Sequence, residues 1–251
     1  MEILLFFVAH WYLSLFTQTF FHHRYAAHQQ FTMSKGWEKF WYVLSLVFQG
    51  SSYLSPHAYG ALHRMHHAYA DTEKDPHSPK YSKNLFDMMW KTKIIYSDIF
   101  YGRVTLDHQF LKDLPYWKSM ESFADHKVTR LAWAGLYIAF YAVFVTQWWM
   151  WLLLPIHFVM GPFHGAIINW FAHKMGTVRY KVKDTSKNLL PFDFLMLGES
   201  YHNNHHSHPN SANFGKGKLE WDPVYTFIKL FDKIGMIKLR QKEVIPLKKA
   251  A

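Results

Sequence analysis

Long stretches of the chain are apolar over lengths that matter to a membrane. Residues 131–173 contain no Lys, Arg, Asp or Glu. A hydrocarbon core of about 30 Å is crossed by about 20 helical residues, so this stretch predicts two crossings, over about 131–147 and 148–173. Thr146 and Gln147 then form the tight turn, with Trp148, Trp149 and Trp151 as an interfacial aromatic belt. Two very apolar soluble core helices are the competing reading, but soluble helices keep a polar face. Residues 3–21 form a further charge-free run, containing only His10, Gln18 and small hydroxyls as polar positions. It does not read as a signal peptide, because no Lys or Arg precedes it and no small-residue cleavage site follows. It leads instead into His22-His23-Arg24. The run Trp37–Leu54 is weaker: Phe40–Phe48 is apolar apart from Ser45, and Gln49-Gly50-Ser51-Ser52 ends it. An interfacial or core helix is predicted there.

Charge orients these segments. All 28 Lys and Arg fall within residues 22–130 and 174–251, divided equally between the two. Positive charge marks the cytoplasmic side, which places both blocks there and the N-terminus outside. The expected architecture is an all-α integral membrane protein of one domain. It has about three transmembrane helices (about 3–21, 131–147 and 148–173), interfacial helices, and a cytoplasmic His-rich cap of residues 22–130 and 174–251. The mean hydropathy of −0.16 averages these unlike parts. At 251 residues and 50% hydrophobic the chain is neither multidomain nor disordered. With no Cys, disulfides, Cys-based zinc sites, iron–sulfur clusters and thiol catalysis are excluded. The net charge of +10 suits an acidic partner or anionic lipid headgroups, and nucleic acid is not expected for a chain with such spans.

The 18 His are the chemical signal. Nine lie in three boxes: His22-His23-Arg24-Tyr25-Ala26-Ala27-His28, His63-Arg64-Met65-His66-His67, and His202-Asn203-Asn204-His205-His206. The last two share H-x-x-H-H, and positions i, i+3 and i+4 fall on one helix face. His23 and His28 are five apart, about 140° round a regular helix, so they share a site only if the helix frays between them. Asn169 and His173, four apart at the cytoplasmic end of the last run, face the same way; the amide could reach a metal directly or through water. Imidazole suits Zn, Cu, Fe and Ni. One zinc takes four ligands, whereas two metals with four or five His each use the whole set. No carboxylate sits inside a box, unlike ferritin-like di-iron bundles, and no H-E-x-x-H is present. Topology agrees, since an even number of crossings separates every pair of boxes provided residues 37–54 do not span.

At these residues the chain resembles the membrane fatty-acid desaturases, in particular the stearoyl-CoA (acyl-CoA) Δ9 branch. The match is H-R-x-x-x-H at His23–His28, H-R-x-H-H at His63–His67 running on into Asp75-Pro76-His77, and G-E-x-x-H-N-x-H-H at Gly198–His206. Asn169-x-x-x-His173 and Trp221-Asp222-Pro223 followed by an amphipathic helix extend it over nearly the whole chain. The resemblance implies two iron ions held by His23, His28, His63, His66, His67, His173, His202, His205 and His206, with Asn169 acting through water and His22 only a neighbour. It implies a cis double bond inserted at Δ9 into a long-chain acyl-CoA with O2 and two electrons. No G-x-G-x-x-G, heme attachment motif or fused cytochrome-type domain is present, so the donor is a separate protein, ferredoxin or cytochrome b5-like. The implied location is a membrane, the inner membrane in a bacterial cell, with the active site on the cytoplasmic face. Family members have two spans before the first box and this chain has room for one.

Other readings share parts of this pattern. An acyl-lipid desaturase or a di-iron lipid hydroxylase uses the same boxes, although the four residues between His23 and His28 favour the desaturase. A non-catalytic metal-binding or transport protein would place ligands within its spans. Acyl-CoA members carry an Arg-Asp pair where this chain has Ala61 and Leu62. Lys80, Lys83, Lys91 and Lys93 could compensate, with Lys91 and Lys93 the candidate substrate-binding residues, but Lys lacks the bidentate fork of Arg. His10, His157 and His164 lie within apolar runs, where a neutral His bonded to its surroundings competes with function. His57, His77, His108, His126 and His208 read as loop or surface residues, of which His77 and His208 lie close enough to the boxes to orient ligands.

Overall fold

The architecture was obtained as a computed structural model that describes residues 1–240; residues 241–251, the end of the expected cap, lie outside the described residues. Helix α1 (Glu2–Thr17) continues without a break as a π-helical segment, Gln18–Ala27. Together they make a rod of 26 residues, long and apolar enough to cross a membrane. The segment expected to fray between His23 and His28 is instead regular in another winding. The His28 N–H donates to the His23 carbonyl at 3.1 Å, the i→i+5 bond of a π-turn. Residues five apart then lie one above the other.

Helix α2 (Lys35–Gln49) starts at Ser34, whose side chain accepts from the Trp37 N–H. It packs on the rod through Trp41, 4.5 Å from the ring of Phe20 in the π-helical segment and 6.0 Å from that of Phe16 in α1. At 15 residues it is shorter than the about 20 that a crossing takes. Helix α3 (Pro56–Tyr69) has Pro56 in its first turn and Ser55 as its cap, and it carries the second box. Helices α4 (Leu85–Phe100), α5 (His108–Leu111), α6 (Lys118–Asp125) and α7 (Lys127–Phe144) follow. Helix α7 covers most of the run expected over 131–147, and Val145–Gln147 form the turn after it.

The run expected as a span over 148–173 is bent. A three-ten turn, Trp148–Leu153, leads through α8 (Leu154–Phe158) to α9 (Met160–Ala166), a π-turn (Ile167–Phe171) and α10 (Ala172–Lys174). The two halves meet at 82°. Pro162 lacks an N–H, and its ring clashes with a carbonyl four residues back, which places the break at Phe158–Val159. After a long irregular stretch come α11 (His202–Ser207), holding the third box, and α12 (Pro223–Lys233). The fold is mostly helical but not purely so. Strands β1 (Phe31–Met33) and β2 (Ile237–Leu239) pair antiparallel, with Phe31 opposite Leu239. A core of Phe20, Phe21, Phe31, Trp41, Tyr42, Val224, Ile228 and Ile237 joins the π-helical segment, α2, α12 and the sheet.

One buried carboxyl ties three helices. Glu121 on α6 accepts from the Tyr42 hydroxyl at 3.0 Å and from the Ser55 hydroxyl at 2.8 Å. Burial pushes its pKa up to about 7 from an ordinary 4.5, against the pull of those hydrogen bonds. Between these values the folded chain holds a proton that the unfolded chain has lost. Stability therefore falls as pH rises from about 4.5 through about 7 and levels off above that. Glu121→Gln is expected to flatten that part of the profile. Melting temperatures measured in detergent across this range test it, and an equally steep fall in the variant would refute the assignment.

Candidate metal centre

The boxes converge although they come from three separate elements. His23 and His28 project from the π-helical end of the first rod, His63, His66 and His67 from α3, His173 from α10, and His202, His205 and His206 from α11. They sort into two groups able to hold a metal: His23, His28, His63, His67 and His205, and His66, His173, His202 and His206. All nine histidines implied by the resemblance are present, five in one group and four in the other. His22 belongs to neither, since its ring faces the carbonyls of Thr17 at 3.1 Å and Leu54 at 2.8 Å.

The nitrogens meet at close range. In the first group Nε2 of His205 lies 3.0 Å from Nε2 of His23 and 2.9 Å from that of His67. Nε2 of His63 lies 2.9 Å from His28 and 3.0 Å from His67. In the second, Nε2 of His173 and His202 are 3.1 Å apart, and those of His66 and His206 3.3 Å. Ligands about 2.1 Å from one metal at right angles stand about 3 Å apart, so the spacing is that of neighbouring coordination positions.

Carboxylates on the far ring nitrogens decide the tautomer. His23 Nδ1 lies 2.8 Å from Glu199, His66 Nδ1 2.9 Å from Asp75, and His206 Nδ1 2.9 Å from Asp184. His173 Nδ1 lies 3.2 Å from the Thr185 hydroxyl and 3.8 Å from Asp71. Glu199, Asp75 and Asp184, within hydrogen-bond range, hold the proton on Nδ1 of their rings and turn the Nε2 lone pair inward. Lone pairs aimed at one another about 3 Å apart repel unless a cation lies between them. The donor set therefore fits a metal ion in each group. Burial, and then the neighbouring imidazoles, hold His28, His63, His202 and His205 well below the usual histidine range. Neutral imidazole is the ligating form. Burial pushes Asp75 up, but His66 pulls it down further, to about 2.

The non-ligating residues of the third box hold the site closed. Asn203 Oδ1 accepts from the Arg179 and Tyr180 N–H groups, each at 2.8 Å. Asn204 Nδ2 donates to the Phe214 carbonyl and to Glu220. Sequence reasoning passed over these asparagines and over Asp71 and Asp184, which lie far along the chain from the rings they serve. Glu199 and Asp75 stood inside the quoted motifs, but no spacing rule links them to His23 or His66.

Against both groups lies a cavity of about 820 Å³, lined by His23, His63, His202 and Glu199 at one end and by Leu15, Leu54, Leu62, Phe158 and Ile168 elsewhere. Asn169 also lines it. His77, expected as a loop or surface residue, is buried in the cavity wall with both ring nitrogens unpartnered, its ring 4.2 Å from that of His66. His208 is buried too; its ring packs on Tyr180 and its N–H donates to the His205 carbonyl at 3.0 Å. His10 and His157 bond to each other through Nδ1 at 2.6 Å, and the Tyr141 hydroxyl lies 2.9 Å from His157 Nε2, so the pair ties α1, α7 and α8. Lys93 lines the cavity with its ammonium over the Trp90 ring, whereas Lys91 is bound to Asp87 and the Tyr81 carbonyl.

The sequence comparisons agree with this geometry. The family model for fatty acid desaturases matches residues 2–215. The chain is 30% identical over 221 residues to Delta-9 acyl-lipid desaturase 2 of Arabidopsis thaliana, covering 86% of this chain and 67% of that protein. It is 29% identical over 233 residues to the Delta-9 desaturase-like 4 protein of the same plant, covering 89% and 71%. Identity to the acyl-CoA C20 Delta5-desaturase of Anemone leveillei is 28% over 226 residues, covering 88% and 68%.

Proposed function

The chain belongs to the fatty acid desaturase family, and within it we propose that this oxidoreductase inserts a cis double bond, at Δ9, into a long acyl chain at two irons. The observation that carries this reading is the pair of imidazole groups, backed by carboxylates and open to one apolar cavity. His23, His28, His63, His67 and His205 would hold one iron, and His66, His173, His202 and His206 the other, with Asn169 reaching the second through water. Iron bound there supplies the O2-derived oxidant that an unactivated methylene C–H demands. In the balanced reaction two C–H bonds break and O2 becomes two waters, with two electrons and two protons drawn from outside the substrate. The protein's own part is to position and to exclude water. Leu15, Leu54, Leu62 and Ile168 line a dry channel for the methylenes, and the carboxylates fix the rings.

The electrons come from a separate donor, ferredoxin or cytochrome b5-like. His28 lies at the floor of an open polar depression walled by Arg64, Lys112 and Arg240 against Asp113. An acidic donor is complementary to that excess of positive charge. The cap, with the centre on the cytoplasmic face, follows from the charge distribution.

The mouth favours a membrane lipid over CoA as acyl carrier. Ala61 and Leu62 are buried and present nothing to a nucleotide. The exposed lining residues are Phe86, Trp90, Lys93 and Tyr101 along α4 and Val159 at the bend, which open the cavity sideways. The Arg130 guanidinium in the same wall is occupied by the carbonyls of Ser51 and Tyr53 and by Asp125. One free ammonium is poor provision for the phosphates of CoA. Purified enzyme with an electron donor is expected to desaturate stearoyl phospholipid and to leave stearoyl-CoA largely unchanged. Turnover of stearoyl-CoA alone would reject the lipid carrier. A product that has gained one oxygen instead of losing two hydrogens would make the protein a hydroxylase.

A further inference from the structure

We propose that His77 is the hydrogen-bonding residue for a small ligand that enters from the cavity and binds at the second imidazole group. The ligand class is a di- or triatomic molecule or anion with an acceptor atom at its end, to which O2 and azide both belong. The sequence leaves His77 as a residue that could orient a metal ligand, but its ring nitrogens orient none. His77 is 3% exposed, and neither ring nitrogen has a partner. Among the described residues one other buried histidine shares this state, His164 on α9, which stands edge-on to Trp11 at 4.6 Å. A polar atom buried without a partner costs free energy that a bound molecule recovers.

The ring is held in place by the carboxylate that serves the metal group. Asp75 Oδ1 lies 2.9 Å from His66 Nδ1 and accepts from the His77 N–H at 3.0 Å. Its Oδ2 accepts from the Asp71 N–H at 2.9 Å. The Pro76 carbonyl accepts from the Thr92 hydroxyl at 3.1 Å, which ties the same turn to α4. The His77 ring is thereby laid 4.2 Å from that of His66. His77 lines the cavity and His66 does not, so His77 is what this side of the second group presents to an incoming molecule.

The second group also has the room. It gathers four imidazoles against five in the first, which leaves it the more open positions. Asp75, Asp184 and Thr185 stand behind three of its rings, and of the four rings His202 is the one that lines the cavity. A ligand from the cavity therefore arrives past His202 and His77. In either tautomer an imidazole carries an N–H to donate. A methylene of the acyl chain has nothing to accept it, so this ring serves a ligand other than the substrate chain.

The inference rests on iron being held as proposed above, and the experiment separates the two. Azide is titrated into the oxidised, iron-loaded, full-length protein in detergent. The azide-to-iron charge-transfer band gives the dissociation constant, and iron content is measured on the same samples. His77→Leu fills the wall and removes both nitrogens. His77→Asn and His77→Gln put back an amide N–H near the places of Nδ1 and Nε2. His77→Leu is expected to keep its full iron content and to bind azide about tenfold more weakly, the loss of one hydrogen bond to a charged partner. Asn or Gln should recover most of that loss. Unchanged azide affinity in His77→Leu overturns the inference. Equal weakening in all three variants also overturns it, because the shape of the ring and not its nitrogens then matters. A fall in iron content in His77→Leu makes the residue a metal ligand and overturns the hydrogen-bonding role alone. A wild-type protein that takes up no iron overturns the metal reading, and the inference falls with it.

Discussion

Replacing His205 by alanine is expected to abolish desaturation and to release one of two irons. Its Nε2 lies within 3.0 Å of those of His23 and His67, so it joins the π-helical segment, α3 and α11 at one point. Removing it leaves a vacant coordination position among rings with no other means of relieving their mutual repulsion. His66→Ala should empty the other group in the same way. Iron per chain is expected to fall from about two to about one in either variant and to near zero in the double variant, because the binding free energy of each ion is spread over its own ligands. His108 is exposed on α5 and outside both groups, so His108→Ala should change neither iron content nor turnover. Chelation followed by re-addition of iron should restore the wild type and not His205→Ala. Full activity in His205→Ala would sink the ligand assignment, whatever the iron content.

What the sequence made legible follows the range of its rules. H-x-x-H-H gives convergent imidazoles because α3 and α11 are ordinary helical turns, and i, i+3 and i+4 hold there. The first box lies outside that rule. The winding that brings His28 under His23 is a π-turn, set by contacts that Gln18–Ala27 make with α3 rather than by their own propensities. The bend at Val159 was legible in principle from Pro162, but a charge-free run reads as continuous when only its length is counted. The carboxylates that orient the rings were the least accessible. Asp71, Asp184 and Glu199 reach their histidines across gaps of 102, 22 and 176 residues; Glu199 stands in the third motif, but no spacing rule links any of the three to its ring.

Glu199 is where this long-range design is most open to test. Its carboxylate holds the proton of His23 Nδ1 and also accepts from Arg24 at 3.3 Å and from the Thr19 hydroxyl. Burial raises its pKa, but His23 and Arg24 lower it further, leaving it below the ordinary carboxylate range. Glu199→Gln keeps the volume and loses the charge, so His23 is freed to rotate or to take the wrong tautomer. Removing such a partner typically costs about 10- to 100-fold in metal affinity, and a matching rise in the iron dissociation constant is expected. A second effect must be separated from it. The Arg24 guanidinium is fully buried, stacked 3.8 Å over the Phe214 ring and bound to Asp222 at 2.7 Å, and it loses one of its two carboxylates. Arg24 keeps its pair with Asp222, so the cost stays below the about 3–5 kcal/mol of stranding a buried charge, but Glu199→Gln should still melt earlier. Asp222→Asn removes the other partner of Arg24 and should lower the melting temperature while iron affinity stays unchanged, because Asp222 bonds Arg24 and the N–H groups of Phe214 and Tyr225 and no metal-group ring. If Asp222→Asn loses iron affinity to the same extent, Glu199 acts only through the fold. If Glu199→Gln binds iron as tightly as the wild type, the carboxylate does not orient His23 at all.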